Sequence, residues 1–278
     1  MFGVPLKWVL WLIGVPALLG TALTLYSVVI EPSRLVVQRY EVGASGGDTL
    51  RVALIADLHV GSPMAGLGKV QRVVDRVIAE EPDLILHLGD FLVSGVLLGT
   101  FVEPEPIADV LTGLEAPLGV YAVLGNHDWW EDGPGMEAAL EAAGIEVLEN
   151  ESVELPGGLW VVGVADDTTR DPNFDVAFED VPEGAPSILI GHDPGAYLDY
   201  THPAQPMFMA AGHTHGGQIY LPWLFDPVVP GRAGPDWAHG LLDAGGVPLI
   251  VSSGIGTSIL PVRLGRPPEI VIVEVTLS

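Results

Sequence analysis

The sequence predicts an α/β protein of two packed sheets flanked by helices, and three observations carry that expectation. Short apolar runs separated by Gly, Pro and Asp recur from residue 35 onward, which is strand length with turn punctuation. Most of these runs are continuous rather than alternating, as in sheets covered on both faces. Helical periodicity lies between the runs of the first half and is missing beyond Gly240, so βαβ units lead into a β-rich finish.

Taken in order, residues 35–42 alternate β-branched and aromatic residues with polar ones and read as the first strand. Residues 50–56, 84–88, 120–124, 159–164, 188–190 and 207–210 follow as buried runs. Between the first two of these, residues 68–80 place Val70, Val73, Val74, Val77 and Ile78 on one helical face, with charges opposite. Residues 107–114 and 136–143 have weaker helical character. The finish comprises Leu241-Leu242, 247–251 and 270–275 as strands. There is no repeat and no linker after residue 31.

Ahead of these elements, residues 8–30 carry no charge and are dominated by Leu, Val, Ile and Trp. Crossing a bilayer takes about 20 such residues. Gly14, Pro16 and Gly20 weaken a soluble helix but are tolerated in lipid. The rival reading is a signal peptide, with Lys7 as its basic head and Gly20-Thr21-Ala22 as a poor cleavage site. The apolar run continues past that point to Ile30, which favours an uncleaved anchor. Lys7 flanks one end and Arg34 and Arg39 the other, so charge chooses no side of the membrane.

Composition excludes several classes. With 11 Lys+Arg against 36 Asp+Glu in 278 residues, the formal charge is -25. A surface this acidic does not suit nucleic acid, whose phosphates need cations to displace counterions. Zero cysteines exclude disulfides, thiolate metal sites and a Cys nucleophile. The mean hydropathy of +0.42 is high for a soluble enzyme, and the N-terminal run accounts for much of it.

The polar residues of interest stand where the apolar runs end. Residues 50–56 lead into Asp57-Leu58-His59, 84–88 into Gly89-Asp90, and 120–124 into Gly125-Asn126-His127-Asp128. Residues 188–190 lead into Gly191-His192, and 207–210 into Gly212-His213-Thr214-His215. In α/β sheets ligands bind beyond the carboxyl ends of strands. Any one of these pieces is an ordinary turn or cap. Five in order, all oxygen and imidazole donors, have no packing rationale. His87 lies inside a run and reads as a hydrogen-bonded core histidine, and His202 and His239 as loop residues.

On these five blocks the chain resembles the calcineurin-like metallophosphoesterases, over about residues 50–275, and within them a membrane-associated bacterial phosphodiesterase branch. The apolar N-terminus, Glu31-Pro32-x-Arg34-Leu35, Arg39-Tyr40, the extended 212–218 block and Gly254-Ile255-Gly256-Thr257-Ser258 carry the narrower likeness. The resemblance implies a four-layer α/β/β/α sandwich of two mixed sheets, preceded by an N-terminal hydrophobic helix. It also implies two divalent metal ions about 4 Å apart. Asp90 would bridge them, one ion taking Asp57, His59 and His215, the other Asn126, His192 and His213. His127 would face the phosphate as general acid or oxyanion donor. The reaction implied is phosphodiester or pyrophosphate hydrolysis by a metal-bridged hydroxide. Mn is favoured, and Fe, Zn or Co also suit mixed N/O ligands.

Many relatives carry an acidic residue three positions after the bridging Asp to orient the catalytic His. Here that position is Val93. Asp128 reads equally as a partner for His127 or as a cap. Residues 91–102 and 219–229, with Leu221, Trp223, Leu224 and Phe225, are apolar stretches beside the centre. They read either as packing or as a lip for an acyl chain, and Trp129-Trp130 fits both. Arg232, Arg263 and Arg266 bind a second phosphate or neutralise acidic neighbours. The expected organisation is a membrane anchor over 1–31 and a catalytic domain over 32–278. The expected partners are a phosphate-containing, lipid-linked substrate and the cell membrane through residues 8–30. The competing functions are a phosphatase of soluble monoesters and a metal-retaining binding module.

Overall fold

The computed structural model describes residues 10–43, 49–222 and 224–276. Lys7, Trp8 and Trp223, used in the sequence reading, lie outside them. The first helix, α1, runs from Trp11 to Ser33. None of the side chains over Val15–Leu25 is buried, whereas Ser27, Glu31 and Pro32 are. The helix therefore projects from the domain and is seated on it only at its C-terminal end.

Among the described residues twelve strands form two sheets of six. In the first, β1 (Val36–Val42) pairs in parallel with β12 (Glu269–Thr276), which is antiparallel to β2 (Thr49–Ile55). β2, β3 (Leu84–Leu88), β4 (Val120–Val123) and β5 (Glu146–Val147) continue in parallel. In the second sheet, β7 (Trp160–Gly163), β8 (Ser187–Ile190), β9 (Phe208–Ala211) and β11 (Val247–Val251) are parallel. Antiparallel edge strands β6 (Glu151–Glu154) and β10 (Gly240–Ala244) flank them.

Three cores separate four layers. On the outer face of the first sheet lie α2 (Leu67–Ile78) and α3 (Pro104–Leu111), then the short α4 (Asn126–Glu131) and α5 (Gly133–Ala142). Val70, Val73, Val74 and Val77 bury the expected face of α2, because the i, i+3, i+4, i+7 spacing gathers them on one side. Between the sheets, Leu54, Leu86, Ile188, Phe208, Ile250 and Val273 are fully buried. The outer layer of the second sheet is slighter: α6 (Phe174–Ala177) and the 3-10 turn Pro194–Asp199, packed through Phe178 and Tyr197. The sandwich has the expected architecture.

Local departures have local causes. The helix expected over 107–114 starts at Pro104, since Pro is preorganised for the first turn. β5 and β6 were not legible: one is two residues long, and the other, Glu-Ser-Val-Glu, is an edge strand with exposed glutamates. The Gly125–Asp128 block opens α4, in line with the reading of Asp128 as a cap.

Candidate metal centre

The carboxyl ends of parallel strands from both sheets meet at one point. β2 delivers Asp57 and His59, β3 Asp90, β4 Asn126 and His127, β8 His192, and β9 His213 and His215. Backbone bonds lock the ends together: Asp57 N–H donates to Gly89 O (3.0 Å), His59 N–H to Asp90 O (3.1 Å) and Gly212 N–H to His192 O (2.9 Å). Five of these residues hold positive φ: Asp57 (50°), His59 (43°), Asp90 (59°), His213 (66°) and His215 (52°). L-residues adopt that region at a cost of about 1–3 kcal/mol each, and such strain gathers at functional sites. Gly256 must be glycine here, since a Cβ would lie 2.5 Å from both His59 Cβ and Leu58 O.

The seven residues expected to hold metal are buried together, and His127 stands half-buried beside them. One oxygen of Asp90 (Oδ2) lies 3.3 Å from His59 Nε2 and 3.1 Å from His192 Nε2. His59 Nε2 and His215 Nε2 are 3.0 Å apart, and His213 Nδ1 is 3.1 Å from His192 Nε2. Asp57 Oδ1 is 3.6 Å from His215 Nε2 and 3.9 Å from His59 Nε2. Among the described residues three overlapping groups could each hold an ion: Asp57/His59/His215, Asp90/His192/His213, and His59/Asp90/His127, which shares one residue with each of the others. The donors fit that role. Asp57 Oδ2 and Asn126 Oδ1 are buried with no hydrogen-bond partner, an arrangement that costs free energy unless a cation satisfies them. Asn126 sits between Gly125 and His127, whose N–H donates to Asp90 Oδ1 (2.9 Å).

Outer contacts orient these rings. His192 Nδ1–H donates to Leu88 O (2.7 Å), which turns Nε2 inward. His213 Nε2 faces Asp193 Oδ2 at 3.7 Å. Arg263, fully buried, places Nη2 3.4 Å from His215 Nδ1 and donates to the carbonyls of Ser253 and Gly256. It is built into the scaffold and does not reach solvent. Arg232 pairs with Asp167 and Asp199, and Arg266 stacks on Tyr220.

From the protein groups alone, burial penalises charge at every position, and the neighbours decide the outcome. Asp90 titrates well below the usual carboxylate range because His192 and His59 outweigh burial. Burial opposes the His192 cation, but Asp90 and Asp57 prevail and hold it well above the ordinary value. Burial raises Asp57 to about 6. It lowers His213 and His127 to about 4 each.

Asp128 does not touch the His127 ring. Its carboxylate accepts from the backbone N–H groups of Gly125, Asp90, Phe91 and Leu92 (2.8–2.9 Å), capping α4 and fixing the turn after Asp90 in one stroke. Val93 is buried. The ring partner is Ser258, whose Oγ lies 3.3 Å from His127 Nε2. Gln218 clamps Ser258 from both sides, its Oε1 accepting from Ser258 N–H (2.8 Å) and its Nε2 donating to Ser258 O (3.0 Å). The sequence offered Ser258 within the Gly254–Ser258 block but no signal of this contact, 131 residues away in the chain. Ser258→Ala is expected to lower turnover about fivefold, the worth of one ~1 kcal/mol hydrogen bond, and Ser258→Thr to restore it. Steady-state kcat on a bis-aryl phosphate reads both.

His87 is the core histidine the sequence suggested. It accepts from Gly89 N–H and stacks on Phe91 with centroids 3.7 Å apart. Burial lowers it to about 3 from 6.5. Its folded pKa lies below the unfolded one, so its contribution is intact above pH 6.5 and is lost as pH falls toward 3. Between pH 6.5 and 5 the loss is about 2 kcal/mol. Urea unfolding of His87→Gln should be flatter than the parent over this interval by that amount.

The calcineurin-like phosphoesterase family matches residues 50–230. The chain is 27% identical to the metallophosphoesterase YkuE of Bacillus subtilis, over 89% of this chain and 87% of that one. It is 30% identical to a metallophosphoesterase of Aquifex aeolicus, over 82% and 86%. It is 27% identical to the UDP-2,3-diacylglucosamine pyrophosphatase LpxG of Chlamydia trachomatis, over 80% and 82%. Among solved structures, TT1561 of Thermus thermophilus aligns with a TM-score of 0.50 at 12% identity, over 75% of this chain and 91% of that one. That likeness concerns the fold.

Proposed function

The chain belongs to the calcineurin-like phosphoesterases, a family of metal-dependent hydrolases, and on that premise we propose a membrane-anchored dinuclear phosphohydrolase. Its reaction is cleavage of a phosphodiester or pyrophosphate bond in a lipid-linked substrate. The observation that carries this reading is the single Asp90 oxygen shared between His59 and His192, the position of a bridging ligand. Asp57, His59 and His215 would hold one ion, and Asn126, His192 and His213 the other, with Mn favoured. When bound, the ions supply concentrated positive charge and activated water.

The chain's own residues do the rest. Among the described residues the candidate ligand groups include two carboxylates, Asp57 and Asp90, so the neutral His and Asn donors leave positive charge for a phosphoryl group. His127, held near pKa 4 by burial, is neutral at pH 7. It therefore acts as a hydrogen-bond donor to a phosphoryl oxygen in preference to a general acid. Ser258 keeps its ring in place.

Support for a lipid-linked substrate comes from the exposed apolar α1, from similarity to a diacylglucosamine pyrophosphatase, and from the apolar stretches beside the centre. Those stretches divide: Phe91, Leu92, Val93 and Val96 are core, whereas Leu97, Leu98 and Phe101 are exposed, as are Leu224, Phe225 and Val228. The full chain in detergent, given Mn, is expected to hydrolyse a bis-aryl phosphate and a lipid-linked pyrophosphate, and chelation to stop both. Preference for soluble monoesters would favour the general phosphatase. Silence with Mn, Fe, Zn and Co would leave only a binding module.

A further inference from the structure

We propose that the end of the domain bearing the metal-ligand residues docks on the bilayer surface through an apolar patch of Leu97, Leu98, Ile259 and Leu260, an inference that rests on reading α1 as a membrane span. These side chains are 58%, 82%, 75% and 49% exposed. They belong to two loops joined into one surface, since Leu97 N–H donates to Ile259 O (3.2 Å). Leu98 (φ 65°) and Ile259 (φ 62°) both occupy the left-handed region, which bulky and β-branched residues rarely enter. The backbone is thus strained in the act of turning two large aliphatic groups to the outside.

The patch lies between the site and the helix. Ser258 touches His127, and five residues later Arg263 N–H donates to Ser27 O (2.9 Å) in α1. Five residues span at most about 18 Å, so Ile259 and Leu260 bridge the metal-ligand cluster and the helix seat. Ser27, Glu31 and Pro32 are buried while Val29 and Ile30 between them stay exposed, so α1 is seated on the domain along one side at that level. There Tyr26 Oη meets the Arg34 guanidinium (3.5 Å), the aromatic and basic pair typical of a membrane–water boundary. The patch consequently stands at headgroup depth.

Charge agrees. Residues 91–102 and 254–262 contain no Asp, Glu, Lys or Arg in a chain of net charge -25. This face approaches lipid without desolvating carboxylates, as most of the surface could not. A substrate held by its acyl chains would reach the centre along this edge without leaving the bilayer.

The absence of cysteine makes site-specific labelling direct. Full-length Leu98→Cys and Ile259→Cys, each carrying a nitroxide, are reconstituted in phosphatidylcholine–phosphatidylglycerol nanodiscs, with Glu183→Cys before β8, at the opposite strand ends, as the aqueous control. Oxygen is expected to collide with the labels at 98 and 259 at least threefold more, relative to a nickel chelate, than at 183. Ratios equal to the control at either position would overturn the proposal. So would shielding from both reagents, which would place a second copy of the chain on the patch. The readout needs no turnover, so failure of docking and failure of hydrolysis are separately visible.

Discussion

Asp90→Asn should lower turnover on a bis-aryl phosphate by about 10³-fold or more, the scale on which a group that stabilises transition-state charge is felt, and should reduce bound metal below two per chain. The substitution preserves shape but removes the charge that both His59 and His192 face at 3.3 and 3.1 Å. It also disturbs the acceptor of the His127 N–H, so the start of α4 loosens with it. Circular dichroism checks that the fold survives, and elemental analysis counts the metal. Turnover within tenfold of the parent, at two ions per chain, would contradict a bridging role for Asp90.

His127→Ala is expected to lower turnover about 10²–10⁴-fold, the usual worth of a positioned proton or hydrogen-bond donor, with metal content near two per chain. Its ring stands beside the cluster, its centroid 4.7 Å from that of His59 and its edge on Trp130. Retention of metal separates it from the ligand residues. Metal loss in this variant would make His127 a ligand instead. The contrast between the two variants, one losing metal and rate and the other rate alone, divides holding from reacting.

The site was legible in the sequence because its elements are local. Each donor follows directly on a buried strand, within a block that contains or borders a Gly or Asp, and the parallel topology carries those ends to one place. What supports the donors was not legible, because it depends on how distant loops close. Ser258 reaches His127 across 131 residues, and Arg263 reaches His215 across 48. Asp193 adjoins His192 in the chain yet faces His213. Asp128 was visible but its role was not, since its four N–H donors come from two segments. Trp129-Trp130 shows the same limit. Arg170 lies over the half-buried Trp129, 4.1 Å from the ring centroid, while Trp130 is exposed beside His127.

In the fold, the interior strands were read within a residue or two because burial on both faces leaves an unbroken apolar run. The edge strands β5 and β6 lacked that mark. Packing of α1 could not be read at all from its uniform apolarity. Its seat depends on the Ser27 carbonyl accepting from Arg263 N–H and the Pro32 carbonyl from Lys69.

A metal titration tests the central claim most directly. Metal-free full-length protein receives Mn in steps while hydrolysis of a bis-aryl phosphate is followed. Activity is predicted to rise to a plateau at two equivalents per chain and to be abolished by chelator. Saturation at one equivalent, or no hydrolysis with Mn, Fe, Zn or Co, would contradict a dinuclear phosphohydrolase.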